Sequence, residues 1–219
     1  MFRFSHIAAS SVPLIAVLTL SGCAATSPPM FNGRDFAGWE LVSVPASPVE
    51  ASFTIGPDGV IATSGQPVGY LATTGTYSHY KLHVEWRWKV KPGNAGILLH
   101  IAGGPKDRAW PESLQVQTKH GAVGDVLPMA GARFSDALTS APGAAVPLKA
   151  RVGADSEKPV GEWNSVDIVS RAGTIEVSVN GVAQNRVEGA QPSSGRIGFQ
   201  LEGAPYELRN VTLVTLVPR

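Results

Sequence analysis

The chain has 219 residues, with 18 Lys and Arg against 17 Asp and Glu, for a formal net charge of +1. That balance excludes the basic footprint of a nucleic-acid binder and the polybasic patch of a protein held on anionic lipid. The single cysteine, Cys23, rules out an intramolecular disulfide, so stability has to come from a packed core.

In chain order, residues 1–22 read as a targeting segment: Arg3 near the start, then an apolar stretch from Val12 to Leu20. That stretch is shorter than the about 20 residues of a spanning helix. Leu20-Ser21-Gly22-Cys23 resembles the lipobox of bacterial lipoproteins, whose cysteine is lipidated and becomes the N-terminus. An ordinary signal peptide with a stray cysteine is the plainer alternative. The resemblance implies lipidation of Cys23, contact with membrane through the lipid alone, a place in the bacterial envelope and, with Ala24 following, sorting to the outer membrane. Residues 23–30 then form the lipidated end and a tether, and residues 31–219 one β-rich domain.

From Phe31 onward, short β-type runs alternate with turn residues. Val60-Ile61-Ala62 follows Asp58-Gly59, Gly69-Tyr70-Leu71 follows a Gly-Gln-Pro turn, and a long run spans Tyr80 to Val90. Ile97 to Ile101 follows Gly93-Asn94, and Ser113 to Thr118 follows Gly103-Gly104-Pro105. Residues 120–160 are rich in Ala, Gly and Pro and carry no period. A stretch of that length is a lid or a partly disordered segment more often than a plain connection, and its position directly after a Gln-rich strand would let it fold over a polar face. Ile175, Val177 and Val179 then alternate with polar residues up to Asn180-Gly181, the signature of a type I′ hairpin leading into Val182. The last runs are Arg196 to Leu201 and Tyr206 to Leu216. No sustained helical period occurs, so the pattern predicts an all-β antiparallel sandwich or jelly roll.

Two runs, His83 to Trp88 and Trp110 to Gln117, place polar groups at alternate strand positions. Successive side chains in a strand face opposite ways, which puts Val84, Trp86 and Trp88 on one side and His83, Glu85 and Arg87 on the other. Likewise Leu114 and Val116 oppose Gln115 and Gln117. Such a face suits a polar, flat-faced ligand such as a sugar, or is simply a solvated sheet surface.

Several motifs taken together resemble one family. They are Phe31-Asn32-Gly33-Arg34-Asp35-Phe36-Ala37-Gly38-Trp39, Tyr80-x-Leu-x-x-Glu-Trp-Arg, Gly93-Asn94-Ala95-Gly96-Ile97, Gly161-Glu162-Trp163-Asn164, Gly195-Arg196-Ile197-Gly198-Phe199-Gln200 and Leu208-Arg209-Asn210-Val211. The ordered set is similar to the 3-keto-disaccharide hydrolase domain, also described as the 3-keto-glucoside 1,2-lyase and 3-keto-2-hydroxy-glucal hydratase domain. The resemblance implies a concanavalin A-like jelly roll with substrate on its concave face, and a sugar 3-dehydrogenase supplying the keto sugar. Two positions depart from the family pattern. Gln115 stands where a glutamate is usual, and His100 where an arginine often follows.

The implied chemistry needs no carboxylate pair of the ordinary glycosidase kind. A C3 carbonyl acidifies the C2 proton, so the site needs a base near C2, a cation or donor at O3, and an acid or water for the leaving oxygen. Glu85 or His100 is expected as the base, Arg87 as the partner of the enolate oxygen and Gln117 as an orienting group, with His83 in reserve. Asn94, Trp110, Glu112, Gln115, Asp125 and Gln200 are expected to contact the sugar. Plainer readings stand beside these: an ion pair for Glu85 and Arg87, a structural role for His100, core packing for Trp110 and Trp163, and a turn for Asn94. The sequence names no cofactor with certainty. A divalent metal could replace Arg87, with His83, Glu85, His100 and Asp125 as ligand types. The rivals to an enzyme are a non-catalytic carbohydrate-binding module, which Gln115 favours, and a structural envelope protein.

Overall fold

The computed structural model describes residues 28–217. The targeting segment and Cys23 lie outside them, as does most of the tether. The strands in chain order are β1 (Trp39–Val44), β2 (Phe53–Ile55), β3 (Ile61–Thr63), β4 (Val68–Thr73), β5 (Tyr80–Trp88), β6 (Gly96–Ile101), β7 (Pro105–Asp107), β8 (Trp110–Pro111), β9 (Ser113–Gln117), β10 (Val126–Met129), β11 (Asn164–Arg171), β12 (Thr174–Val179), β13 (Val182–Val187), β14 (Arg196–Leu201) and β15 (Tyr206–Thr215). A six-stranded sheet runs β1-β4-β14-β6-β9-β10, a seven-stranded sheet runs β13-β12-β11-β5-β15-β3-β2, and β7 and β8 form a short ribbon. All the pairings are antiparallel. The protein is thus an all-β jelly-roll sandwich.

The core lies between the two sheets and is built by alternation. Leu82, Val84, Trp86 and Trp88 enter it from β5, Leu114 and Val116 from β9, and Ile197 and Phe199 from β14. Burying each large side chain contributes about 1.5–3 kcal/mol. Phe31 and Trp39 stack at 4.1 Å and close one end against Phe199. The Asn180-Gly181 hairpin forms as its sequence predicts, with φ of 50° and 79° at the two turn residues.

Residues 130–152 form a strap between the edges of the two sheets. Lys149 pairs with Val126 at the β10 edge, the Val152 N–H donates to the Gln184 carbonyl at the β13 edge, and Arg133 pairs with Gln191. Asp136 anchors its middle, accepting from Lys149 Nζ at 2.7 Å and from the Glu188 N–H at 2.7 Å. The patternless stretch therefore holds one more strand, β10, and a pinned strap. Pro128 sits in β10, an edge strand, where a missing N–H is tolerated.

Candidate functional site

Alternation holds along both polar runs, but it sends them to opposite surfaces. Glu85 and Arg87 point away from the core on the seven-stranded sheet, whereas Gln115 and Gln117 point away from it on the six-stranded sheet. The core lies between the two groups, and the single polar face expected from the sequence is two faces.

On the seven-stranded sheet the charges satisfy one another. Glu85 accepts from Arg209 Nε at 2.6 Å and Asn210 Nδ2 at 2.8 Å. Arg87 donates to Glu207 at 2.6 Å, which also meets Lys89 at 3.0 Å. The Arg87 and Arg209 guanidinium groups both lie over the Trp163 ring, at 4.4 and 4.1 Å from its centroid. His83 Nδ1 meets Asp167 at 2.9 Å. Burial alone would raise the Glu85 pKa, but hydrogen bonds from Asn210 and Arg209 hold it below the ordinary carboxylate range, a poor setting for a base.

His100 is enclosed in the core. Its φ of 56° and the register shift against β14 form a bulge, so Leu99 and His100 both turn inward while Leu98 and Ile101 pack on the outer face. Nδ1 lies 2.9 Å from the Pro192 carbonyl and Nε2 3.0 Å from Ser170 Oγ. A carbonyl only accepts, so Nδ1 carries the proton. Burial pushes the ring's pKa down, against the Pro192 hydrogen bond. With both nitrogens engaged, the histidine is a structural joint between the sheets. The ligand types considered for a metal are likewise scattered: His83 and Glu85 on one surface, His100 in the core, and Asp125 beside β10, where it accepts the Arg151 N–H at 2.8 Å. Those residues do not fit a metal centre.

A cleft of about 170 Å³ lies on the outer face of the six-stranded sheet. It gathers Asn94, Trp110, Gln115, Gln117 and Gln200 from the sequence-derived set, together with Arg108 and Glu202, which that reading missed. Register explains the gathering: Gln200 on β14, Gly96 on β6 and Gln117 on β9 lie in one row, and the Gln115 side chain covers Gly96, where an added Cβ would come within 2.6 Å of it. Ala145, Val146 and Pro147 of the strap form one wall. Glu112 lies outside the lining and pairs with Lys106.

The hydrogen bonds in this cleft fix which way each amide is turned. Gln117 Oε1 accepts the Lys119 backbone N–H at 3.1 Å, so it is the oxygen, and Gln115 must point its Nε2 at it, also 3.1 Å away. Glu202 Oε2 accepts from Asn94 Nδ2 at 2.6 Å and Gln200 Nε2 at 2.9 Å. The remaining amide oxygens, Asn94 Oδ1, Gln115 Oε1 and Gln200 Oε1, are buried with no partner in the protein. Orphaned buried acceptors are costly, and these three have almost no accessible surface, so they belong to a packed amide layer beneath the cleft. Burial raises the Glu202 pKa, while Lys119, Arg108 and the Asn94 hydrogen bond moderate the rise. A charged group shifted by desolvation in a cleft is a candidate acid or base.

Comparison with known proteins adds a sequence family and several folds. A model of the 3-keto-alpha-glucoside-1,2-lyase-like domain matches residues 26–214. No curated protein matches the chain. Among solved structures, a proposed glycosyl hydrolase from Parabacteroides distasonis is similar at 23% identity over 92% of this chain and 99% of that one, with a TM-score of 0.67. The carbohydrate-binding module CBM66 from Bacillus subtilis is 12% identical over 81% of this chain and 96% of its own, with a TM-score of 0.56. A Bacillus subtilis protein with a galectin-like fold is 14% identical over 84% and 92%, with a TM-score of 0.52. At these identities the likenesses concern the fold, and they agree with a concanavalin A-like sandwich.

Proposed function

Because the chain belongs to the 3-keto-alpha-glucoside-1,2-lyase-like domain family, we propose that its cleft binds a 3-keto-glycoside and cleaves it by elimination, with Glu202 as the base. The observation that carries this reading is a partly desolvated carboxylate, positioned by two amide donors, in a cleft lined by amide side chains. Trp110, only 7% exposed, contributes to the same lining. At about 170 Å³ the cleft is below the about 300–1,000 Å³ of drug-sized pockets, which suits one sugar ring.

In the proposed step the Glu202 carboxylate takes the C2 proton. The C–H electron pair forms the C2=C3 bond and O3 takes the negative charge, held by Arg108, which lines the cleft, and by the field of Lys119. Collapse of the enolate restores the C3 carbonyl, forms C1=C2 and breaks the C1–O bond. The leaving oxygen recovers the proton from Glu202, and water can add to the resulting enone. Glu85, Arg87 and His100 take no part in this scheme. Gln115, where a glutamate is usual in the family, donates its Nε2 to Gln117 and supports the cleft from beneath.

The rival reading, a non-catalytic carbohydrate-binding protein, draws on that same Gln115. Incubating the chain with 3-keto-glucosides separates the two. Loss of keto sugar with growth of a UV-absorbing enone supports the enzyme, and saturable binding without turnover supports the rival. Attachment to the envelope through Cys23 and supply of substrate by a sugar 3-dehydrogenase belong to the same proposal. Lipid labelling lost in Cys23→Ser tests the first.

A further inference from the structure

We infer that the apolar groove beside the cleft is the leaving-group subsite and that it selects an aryl aglycone, an inference that rests on the reading of the cleft given above. The groove encloses about 370 Å³ and shares Pro128, Ala130 and Pro147 with the cleft, so the two are adjoining compartments. The ridge between them is a turn in which the Ala132 N–H donates to the Met129 carbonyl at 3.0 Å. Its central residues, Ala130 and Gly131, have φ of 51° and 103°. Their small side chains keep the ridge low, and a Cβ built at Gly131 would meet nothing within 4 Å. A group leaving C1 of a ring seated in the cleft can therefore extend over the ridge.

The two compartments differ in chemistry. The cleft is lined by amides and two carboxylates, Asp107 and Glu202, whereas the groove has neither and presents Phe134, Leu138 and the prolines. Leu138 is 44% exposed, a large apolar side chain left facing the groove. The one charged lining residue is Arg133, whose guanidinium enters no ion pair among the described residues and whose backbone is fixed by two 2.8 Å hydrogen bonds to Gln191. A guanidinium stacks on an aromatic ring. A second sugar ring would bring several hydroxyls for which the groove offers the Arg133 guanidinium alone, so the rest lose on desolvation, whereas an aryl ring brings none.

The test compares kcat/KM of the full chain for phenyl 3-keto-glucoside, methyl 3-keto-glucoside and a 3-keto-disaccharide. The phenyl substrate is expected to exceed the other two by about tenfold or more, a gain that combines the discrimination of an apolar pocket with the easier departure of phenoxide, and the Leu138 variants separate the two. In Leu138→Glu the phenyl-to-methyl ratio should fall about tenfold, and in the milder Leu138→Ala it should fall in the same direction. Absence of an aryl preference, preference for the disaccharide, or an unchanged ratio in both variants overturns the inference. If no substrate turns over, calorimetric binding of the same three compounds decides. A phenyl preference that Leu138→Glu removes supports the subsite while the elimination reading fails, and equal binding of all three overturns the subsite as well.

Discussion

Replacing Glu202 by glutamine removes the proposed base and leaves its scaffold in place. Both hydrogen bonds to Glu202 end on one oxygen, Oε2, from Asn94 at 2.6 Å and Gln200 at 2.9 Å. The glutamine oxygen can occupy that position, and its NH₂ replaces Oε1. Each bond loses its charge-assisted strength, about 1 kcal/mol, while the cost of holding a desolvated carboxylate also disappears. Burial is the largest influence on this group and raises its pKa. The ionised form therefore costs stability as pH rises through the folded-state value, and Glu202→Gln gains relative to the parent at neutral pH but not in acid. Net stability at pH 7 should stay within about 1 kcal/mol of the parent, or about 2–4 °C in Tm for a chain of this size. Catalysis should fall about 10²–10⁴-fold in kcat, the contribution of a positioned base. The assay is enone formation from a 3-keto-glucoside, with C2–H exchange in D₂O as a second readout. Retention of more than about a tenth of the parent kcat, with exchange intact, would refute the assignment of Glu202. In the parent, the acid limb of kcat/KM should lie above the about 4.3 of an ordinary glutamate.

Three further outcomes follow from other parts of the molecule. Glu85→Gln breaks the ion pair to Arg209 on the surface opposite the cleft; it should cost about 1 kcal/mol in chemical denaturation and leave kcat unchanged, and a collapse of kcat with the fold intact would return Glu85 to the reaction. His100 is held neutral by burial, so the stability it contributes is present above its unfolded pKa of about 6.5 and is lost as pH falls from there through its lowered folded value. Asparagine tolerates a φ of 56°, and His100→Asn should flatten the fall in Tm below about pH 6.5; an equal slope in both proteins would show that the acid sensitivity lies elsewhere. Gln115→Glu restores the residue usual in the family but faces Gln117 Oε1, an oxygen fixed by the Lys119 N–H, with another oxygen. It should lower stability by about 1–3 kcal/mol without raising turnover, and a gain in both would contradict the amide orientations described above.

Much of the sandwich was legible because period-2 alternation is strong wherever one face of a strand is buried. The β5 run, the Asn180-Gly181 hairpin and β14 stand where their residues place them. Three features escaped for separate physical reasons. Alternation assigns a side chain to the outside of its own sheet, and a sandwich has two outsides, so Glu85 and Gln117 share a polarity and not a surface. The bulge at His100 inverts parity within β6, which no side-chain pattern announces. Pro128 disguises β10 as loop. Glu202 was legible in principle: it follows Gln200 by two residues, so strand parity carried one position past β14 points it to the same side.

The strap has a consequence for how this protein can change. Exposed sheet edges invite pairing with other chains, and natural sandwiches cover them. Here the segment that covers β10 and β13 also supplies Ala145, Val146 and Pro147 to the cleft wall. Solubility and substrate choice are therefore written in one stretch of chain. A lineage, or an engineer, that loosens residues 130–152 to admit a larger ligand uncovers two strand edges in the same move. Variants with new specificity should emerge first among those that keep the Lys149, Val152 and Arg133 attachments and vary the residues between them.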